Sequence, residues 1–243
     1  MRGDVMGLEV DAVEVVWLDL DVSEPALEGL SDDLGADELA RVARMSSPLG
    51  RKRAVARLGW RRRILAEHLG IAPSDVVYDE SANGKPGLLL PSGTGLEFSA
   101  SHRGSVGLLA IGRDRPLGVD VEAADEIGDV DALLRRVATP SEAGAIGALE
   151  AAARTAGMLR LWTRKEARLK ATGEGIGPGL RHSEVPLDVA VWGVALGGGA
   201  GASAWLLYAL DAPSADLAAA LVVAADGRPP TVSVTARHET SVS

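Results

Sequence analysis

The chain has 243 residues, no cysteine and a formal net charge of −9 at pH 7. This length can bury one large core or two small ones, and the lack of cysteine excludes disulfides, thiol chemistry and Cys-based zinc sites. An acidic chain is a poor general binder of nucleic acid, because such binding needs a basic surface that neutralises phosphates.

The first half of the chain is predicted to contain a strand, a helical region and several short strands. Acidic residues interrupt the apolar positions ahead of the strand VEVVWLDL, so no signal peptide is expected and we predict a cytoplasmic protein. Helical segments follow over residues 36–69, with an interruption at Pro48 and Gly50. After the turn-forming SANGKPG, the stretches GLLL, LEFSAS and SVGLLAIG are each predicted to be a short strand.

The second half repeats that order. PLGVDVE is predicted to be a strand, and Thr139, Pro140 and Glu142 have the pattern of a helix cap. A further helix is expected from about residue 157 to 172, ending at the glycine-rich TGEGIG. Strands return with VAVWGVAL, AWLLYAL and LAAALVVAA, and the polar tail after Pro230 is predicted to be disordered.

One uncharged stretch, residues 189–210, is long enough to cross a bilayer. Its centre reads GGGAGAS, and glycine at this density is unfavourable in a helix interior but suits a loop. We therefore predict two strands joined by a turn, and no association with a membrane.

The repeated order of elements predicts an α/β (α+β) fold with two similar subdomains, each a small sheet with packed helices. We expect an N-terminal subdomain over residues 1–113, a C-terminal subdomain over 114–237 and a tail over 238–243. Nine basic residues and no acidic residue lie between Arg41 and Arg63. This concentration indicates a defined anionic ligand or an acidic partner, although a solvated helix face has the same pattern.

The strand GVDVE carries two acidic residues, Asp120 and Glu122, in an otherwise apolar run. Alternate side chains of a strand share a face, so the valines at 119 and 121 can pack in a core while both carboxylates face a cleft. Two close carboxylates repel each other unless a cation neutralises them, and oxygen ligands favour Mg²⁺ or Mn²⁺ over zinc. The alternative is an edge strand with two solvated acids.

The helix WTRKEARLK places Trp162, Glu166 and Lys170 in a row, because these residues are spaced one helical turn apart. One interpretation assigns Glu166 to a metal ion or to proton transfer, and Lys170 to a phosphate. The other is an ordinary ion pair on the helix surface. His102, at the end of FSASH, is by itself more typical of a structural hydrogen bond than of a ligand.

The order of GKP, FSASH, GVDVE and WTRKEARLK, at these separations, resembles the 4′-phosphopantetheinyl transferases. The likeness is to the single-chain, surfactin-synthetase-activator type group, which activates carrier proteins of polyketide, nonribosomal peptide and fatty acid synthases. DELARVARM and RAVARLGWRRRILAEHLG also resemble upstream segments of that family, with Arg53 and Arg62 in register. The resemblance covers about residues 13–225 and is strongest over 84–175.

This resemblance implies a pseudo-twofold α/β protein of two similar subdomains, with coenzyme A as co-substrate and Mg²⁺, or Mn²⁺, in the cleft between them. It implies a metal site formed by Asp120, Glu122 and Glu166. Glu166 also matches the acid proposed as general base, and Lys170 matches the lysine at the pyrophosphate. The positions that match contacts to the coenzyme phosphates are Arg41, Arg53, Lys85, Ser101 and His102.

The implied activity is the Mg²⁺-dependent transfer of 4′-phosphopantetheine from coenzyme A to a serine of an apo acyl or peptidyl carrier protein, with release of 3′,5′-ADP. Asp120 and Glu166 would be catalytic through the metal, and the base is either Glu166 or a metal-bound water. We expect a monomer. Because such carrier proteins are acidic, part of the basic segment, including Arg61 and Arg63, is predicted to bind the carrier.

Two positions near FSASH depart from the family pattern: Ser99 stands where many members have asparagine, and Arg103 where a small hydroxyl residue is common. The residues alone leave two other functions open. One is a non-catalytic module that binds carriers or nucleotides, and the other is an unrelated Mg²⁺-dependent nucleotidyl or phosphoryl transferase. The retained acids argue against the first, and the WTRKEARLK helix argues against the second.

Overall fold

The computed structural model describes residues 11–80, 86–90, 92–175, 178–187, 194–196, 204–225 and 229–239. The chain forms two compact units of mixed helix and sheet, which confirms the predicted α/β class. The first unit combines the N-terminal part of the chain with residues 104–114 and the strand that begins at Thr231. The second unit contains residues 98–103 and 115–230.

The first unit has three helices and two groups of strands. Its elements are β1 (Ala12–Asp19), α1 (Glu24–Asp32), α2 (Ala36–Ala43), α3 (Pro48–Leu69), β2 (Val77–Glu80), β3 (Pro86–Leu90), the start of β4 (Leu96–Arg103), β5 (Val106–Arg113) and β10 (Thr231–Arg237). Strand β1 pairs with β5 in antiparallel and with β10 in parallel orientation. Strands β2 and β3 pair separately as an antiparallel ribbon.

The predicted interruption of the helical region at Pro48 is confirmed. Helix α2 ends at Ala43, and α3 starts at Pro48, a first-turn position where the missing N–H of proline is harmless. The Ser47 hydroxyl accepts a hydrogen bond from the Gly50 N–H and caps the new helix. Gly70, with a φ of 65°, ends this helix in a left-handed conformation.

The second unit has three helices and one antiparallel sheet. Its elements after β4 are β6 (Leu117–Ala123), α4 (Val130–Val137), α5 (Pro140–Gly147), α6 (Ala151–Thr172), β7 (Val194–Leu196), β8 (Ala204–Leu210) and β9 (Leu217–Ala225). The strand order is β6-β9-β8-β7. The pairing of β7 with β8 confirms two strands in the uncharged stretch, and none of the helices in the described ranges has the length and apolarity for a bilayer crossing.

The capping box predicted for α5 is confirmed. The Glu142 N–H donates to the Thr139 hydroxyl, and the Thr139 N–H donates to the Glu142 carboxylate. Helix α6 begins at Ala151, earlier than predicted. The sequence does not mark this start, because the N-cap residue Glu150 makes no side-chain capping bond. It ends as predicted at Gly173, whose φ is 73°.

The compact units differ from the predicted subdomains in two segments. The predicted disorder after Pro230 is wrong, because β10 starts at Thr231 and pairs with β1. This strand belongs to the first unit, whereas the predicted boundary assigns it to the C-terminal subdomain. Residues 98–103 of β4 belong to the second unit. Both differences arise from contacts between distant parts of the chain, which local patterns do not report.

The close approach of β6 to α6 depends on Gly118. A Cβ atom on Gly118 would lie 2.3 Å from the Ala167 carbonyl oxygen and 2.3 Å from the Ala171 nitrogen. Both are backbone atoms that cannot rotate away. The glycine that starts GVDVE therefore allows the strand that carries Asp120 to lie directly against the helix that carries Glu166.

Gly118→Ala is expected to destabilise the protein by about 1–3 kcal/mol, because strand and helix must separate to admit the methyl group. Gly144→Ala in α5 is the matched control, since nothing lies within 4 Å of a Cβ atom there. Chemical denaturation of the two variants and the wild type measures the difference. Equal midpoints for Gly118→Ala and the wild type would contradict the role of this glycine.

Candidate active site

Alternate side chains at the end of β4 contact the acidic residues of β6. The Ser101 hydroxyl donates to Asp120 Oδ1 at 2.8 Å. Two residues later, Nη2 of Arg103 forms an ion pair with Glu122 Oε2. His102 lies between them, so its side chain leaves the opposite face of the strand, and it is exposed. One face of β4 thus supplies polar partners for both predicted metal-binding acids of GVDVE.

Helix α6 presents the predicted row of side chains to the same acids. The Trp162 indole N–H donates to Glu122 Oε1 at 3.1 Å, and Lys170 Nζ lies 2.8 Å from Asp120 Oδ1. Glu166 is buried on the helix, one turn from each of these two residues. These contacts place the row of side chains on α6 against the acids of β6.

Burial changes the ionisation of two of the acids. It raises the pKa of Glu166 to about 7, with a further increase from the charge of Asp120 and an opposing influence of Lys170. Burial likewise raises the pKa of Asp120, against the lowering influence of Lys170 and of the hydrogen bond from Ser101. Each carboxyl group therefore resists ionisation, and Glu166 does so partly because Asp120 is close.

Two oxygens of these carboxyl groups are buried without a hydrogen-bond partner in the described part of the chain: Asp120 Oδ2 and Glu166 Oε1. Buried polar atoms are nearly always satisfied, so two such oxygens in neighbouring acids suit a cation. Mg²⁺ commonly takes one or two carboxylates and completes its shell with phosphate and water oxygens. The residues present therefore fit a magnesium ion.

Glu122 differs from the other two acids because both of its oxygens are engaged. Trp162 donates to Oε1, and Arg103 is paired with Oε2. Across the described ranges, no three His, Cys, Asp or Glu side chains are grouped so that they could hold a metal ion. The metal site of Asp120, Glu122 and Glu166 that the family resemblance implies stays a prediction.

A buried ion pair fixes α6 from the side away from solvent. Lys165 is 0% exposed, and its Nζ lies 2.8 Å from Glu142 Oε2. The same ammonium group donates to the carbonyl oxygens of Leu180 at 2.7 Å and Ser183 at 2.8 Å. Glu142 Oε1 accepts the Val185 N–H at 2.8 Å. This motif lysine is therefore structural, since it ties α6 to the cap of α5 and to residues 180–185.

In the first unit, the end of the basic segment is used internally. Arg61 Nη2 and Arg62 Nε lie 3.0 Å and 2.6 Å from the two oxygens of Glu38, and Arg63 Nε lies 2.5 Å from Asp33 Oδ2. Arg61 is only 8% exposed. Its guanidinium group is buried and already neutralises an acid of its own unit, and carrier binding by part of the basic segment stays a prediction. Arg63 is likewise held by an acid of its own unit.

Arg41 and Arg53 stay at the surface of the first unit. Arg41 is exposed in the last turn of α2. Arg53 forms a two-point ion pair with Asp21, at 2.6 Å and 2.7 Å. This hydrogen-bonded pairing raises the pKa of Arg53 and lowers the pKa of Asp21. Lys85, the remaining residue matched to a phosphate contact, lies outside the described residues.

Ser99 and Arg103, the departures from the family pattern, both have defined contacts. The Ser99 hydroxyl is buried and accepts the Val119 N–H at 3.1 Å, and Arg103 neutralises Glu122. Neither contact is among the sequence-based predictions. The signal that could have found them is the period of two along Ser99, Ser101 and Arg103, which matches the period of the acids on β6.

Comparisons with known proteins agree with this site. Residues 116–222 match the model of the 4′-phosphopantetheinyl transferase superfamily. The 4′-phosphopantetheinyl transferase HetI of Nostoc sp. (strain PCC 7120) is 36% identical over 167 residues, which are 68% of this chain and 70% of HetI. A phosphopantetheinyl transferase of Thraustochytrium sp. is 30% identical over 183 residues, 71% of this chain and 62% of that protein.

These similarities make the chain an enzyme of the transferase class. It belongs to the 4′-phosphopantetheinyl transferase superfamily, whose members transfer the phosphopantetheine group of coenzyme A to carrier proteins. The matched region contains GVDVE and WTRKEARLK. These two segments carry Asp120, Glu122 and Glu166, which we call the acid cluster.

Proposed function

We propose that this protein transfers the 4′-phosphopantetheine group of coenzyme A to a serine of an apo acyl or peptidyl carrier protein, with Mg²⁺ as the metal, Mn²⁺ as a substitute and 3′,5′-ADP as the second product. The observation that supports the metal dependence is the pair of buried oxygens without a described partner, Asp120 Oδ2 and Glu166 Oε1. The proposed acceptors are carrier domains of polyketide, nonribosomal peptide or fatty acid synthases.

Asp120 and Glu166 are the proposed principal holders of the metal, and Glu122 is a proposed third ligand. A divalent cation held there would supply positive charge that offsets the negative charge increasing on the pyrophosphate oxygens. The buried setting strengthens this electrostatic contribution, because little water competes for the carboxylates.

The serine oxygen forms a bond to the phosphorus that carries the pantetheine group, and the bond from that phosphorus to the bridging oxygen of the pyrophosphate breaks. The leaving oxygen departs with 3′,5′-ADP. Lys170 is the proposed partner of this leaving group, since its side chain is 30% exposed and can exchange Asp120 for a phosphate as a mobile point charge.

The serine hydroxyl must lose its proton during this step. The proposed base is either Glu166 or a water bound to the metal. The pKa of Glu166 is about 7 in the protein without a metal, where burial and Asp120 raise it and Lys170 opposes the increase, and a cation bound to this carboxylate would lower it.

Coenzyme contacts are proposed for residues matched to the family pattern. His102 and Arg41 are exposed, so each is accessible to a phosphate group of a ligand. The Ser101 hydroxyl can donate to a phosphate in place of Asp120. For Arg53 and Lys85, a contact with the coenzyme phosphates is proposed because their positions match the family motifs. We further propose that the enzyme acts as a cytoplasmic monomer.

The first test is the intact mass of a purified apo carrier protein after incubation with this protein, coenzyme A and Mg²⁺. We expect the mass to rise by one phosphopantetheine group and to stay unchanged when EDTA replaces Mg²⁺. An equal gain in EDTA would refute the metal dependence. No gain with carriers of fatty acid, polyketide and peptide synthases would refute the proposed acceptors.

A further inference from the structure

Arg103 forms an ion pair with one of the three acids, Glu122. Its guanidinium group is paired with Glu122 Oε2, and the exposed fractions of the two side chains are 28% and 15%. Trp162 donates to the other oxygen of Glu122 at 3.1 Å, which fixes the carboxylate toward Arg103. Both oxygens of Glu122 are therefore committed to side chains of the protein itself.

Asp120 and Glu166, the other two acids of the cluster, each have one buried oxygen without a hydrogen-bond partner among the described residues. Asp120 uses Oδ1 for both Ser101 and Lys170, and its Oδ2 has no partner in the described part of the chain. Glu166 Oε1 is in the same situation. A divalent cation can therefore reach Asp120 and Glu166 without breaking a contact, whereas at Glu122 it meets a carboxylate that Arg103 already neutralises.

We propose that Arg103 is an internal counter-ion of Glu122 that competes with the divalent metal and lowers the metal affinity of this site. The proposal rests on the metal site of the proposed function and adds a residue that tunes it. The metal binds first through Asp120 and Glu166, and Glu122 becomes available only to the extent that its ion pair with Arg103 opens.

A competing charge has a measurable consequence. Replacing Arg103 with serine leaves Glu122 with an unneutralised carboxylate oxygen beside the two that have no partner, and a third carboxylate strengthens binding of a hard cation. The expected gain in affinity is about tenfold, which corresponds to roughly 1.4 kcal/mol. Arg103→Lys keeps the positive charge and is expected to stay close to the wild type.

The experiment is a titration of Mn²⁺ into the protein without coenzyme A or carrier, with free Mn²⁺ measured by electron paramagnetic resonance. It compares the wild type, Arg103→Ser, Glu122→Gln and the double variant. We expect Arg103→Ser to bind Mn²⁺ about tenfold more tightly. Glu122→Gln should change the affinity little in the wild-type background and reduce it strongly in the Arg103→Ser background, because Glu122 is available only there.

Arg168→Ser is the control for a general loss of positive charge, since Arg168 is on α6 and donates to the Glu184 carbonyl oxygen rather than to the acid cluster. Circular dichroism and thermal unfolding verify that each variant is folded. Equal affinities for the wild type and Arg103→Ser overturn the proposal, as does an effect of Glu122→Gln that is the same in both backgrounds. The proposal is also overturned if neither the wild type nor Arg103→Ser binds Mn²⁺ detectably.

The outcomes separate this inference from the proposed function. If the carrier gains mass but the four affinities show no coupling between Arg103 and Glu122, only the competition is refuted. If the affinities are coupled but no carrier is modified, the competition stands and the proposed transfer is refuted. The titration contains no substrate, so its result does not depend on the transfer reaction.

Discussion

In EDTA at pH 8, the Glu166→Gln variant should unfold at a temperature roughly 5–10 °C above that of the wild type. The reason is the pKa of Glu166, which burial and the charge of Asp120 raise from 4.5 to about 7. Between pH 4.5 and about 7 the folded wild type keeps a proton that the unfolded chain releases, and at pH 8 the folded state carries a buried negative charge. Glutamine has nearly the same shape and cannot ionise, so it removes this unfavourable charge from the metal-free protein.

The sign of the pH dependence follows from the same pKa values. Below pH 4.5 the carboxyl group is protonated in both states, so the protonated group contributes its full stability there. As the pH rises through about 7, the folded state must ionise in a buried place, and about 3 kcal/mol of stability is lost. The advantage of Glu166→Gln should therefore be large at pH 8 and small at pH 4.5.

Thermal unfolding followed by circular dichroism at these two pH values measures the effect. Glu174→Gln is the control, because it makes the same chemical change at an exposed residue just after α6. In the mass assay, Glu166→Gln should transfer phosphopantetheine at least about 100 times more slowly, since a proposed metal ligand and candidate base is lost. A variant that is less stable than the wild type at pH 8 would contradict this account.

Lys165→Met should lower the free energy of unfolding by about 3–5 kcal/mol, the effect of leaving one member of a buried ion pair without its partner. Lys165 is 0% exposed, and its ammonium group contacts Glu142 and two carbonyl oxygens. Methionine fills a similar volume but leaves all three acceptors without this donor. The loss should show as a lower denaturation midpoint at unchanged cooperativity.

Arg168→Met is the matched control, because Arg168 lies on the same helix and only donates to a carbonyl oxygen near the surface. Its effect should stay below about 1 kcal/mol. Adding Glu142→Gln to Lys165→Met should recover part of the lost stability, since it removes the charge that lacks a partner while keeping a side chain that can bond to Val185. A loss below about 1 kcal/mol for Lys165→Met would show that the pair contributes little.

Much of the local structure could be predicted because it depends on neighbouring residues. Pro48 and the capping box at Thr139 define helix starts through bonds within one turn. The period of two in GVDVE and the spacing of Glu166 and Lys170 likewise place side chains on one face without any information from the rest of the chain. These patterns place side chains on one face of each element, whereas the grouping of Asp120, Glu122 and Glu166 is expected only from the family resemblance.

The partners of individual charges could not be predicted in the same way. Lys165 stands beside Glu166 in the sequence, yet one is fixed to Glu142 and the other faces Asp120. Which acid a basic side chain finds depends on packing between elements that are far apart in the sequence. The internal pairing of Arg61 is a second example, because its acid lies in α2, outside the basic segment.

The parallel pairing of β10 with β1 has a consequence for synthesis on the ribosome. Strand β1 is made before the second unit, and its partner from Thr231 onward is made only after that unit. The edge of β1 that binds β10 therefore stays unpaired while the intervening residues of the second unit can already fold. Contacts over so long a sequence separation slow folding, and the first unit is completed after the second although its synthesis starts earlier.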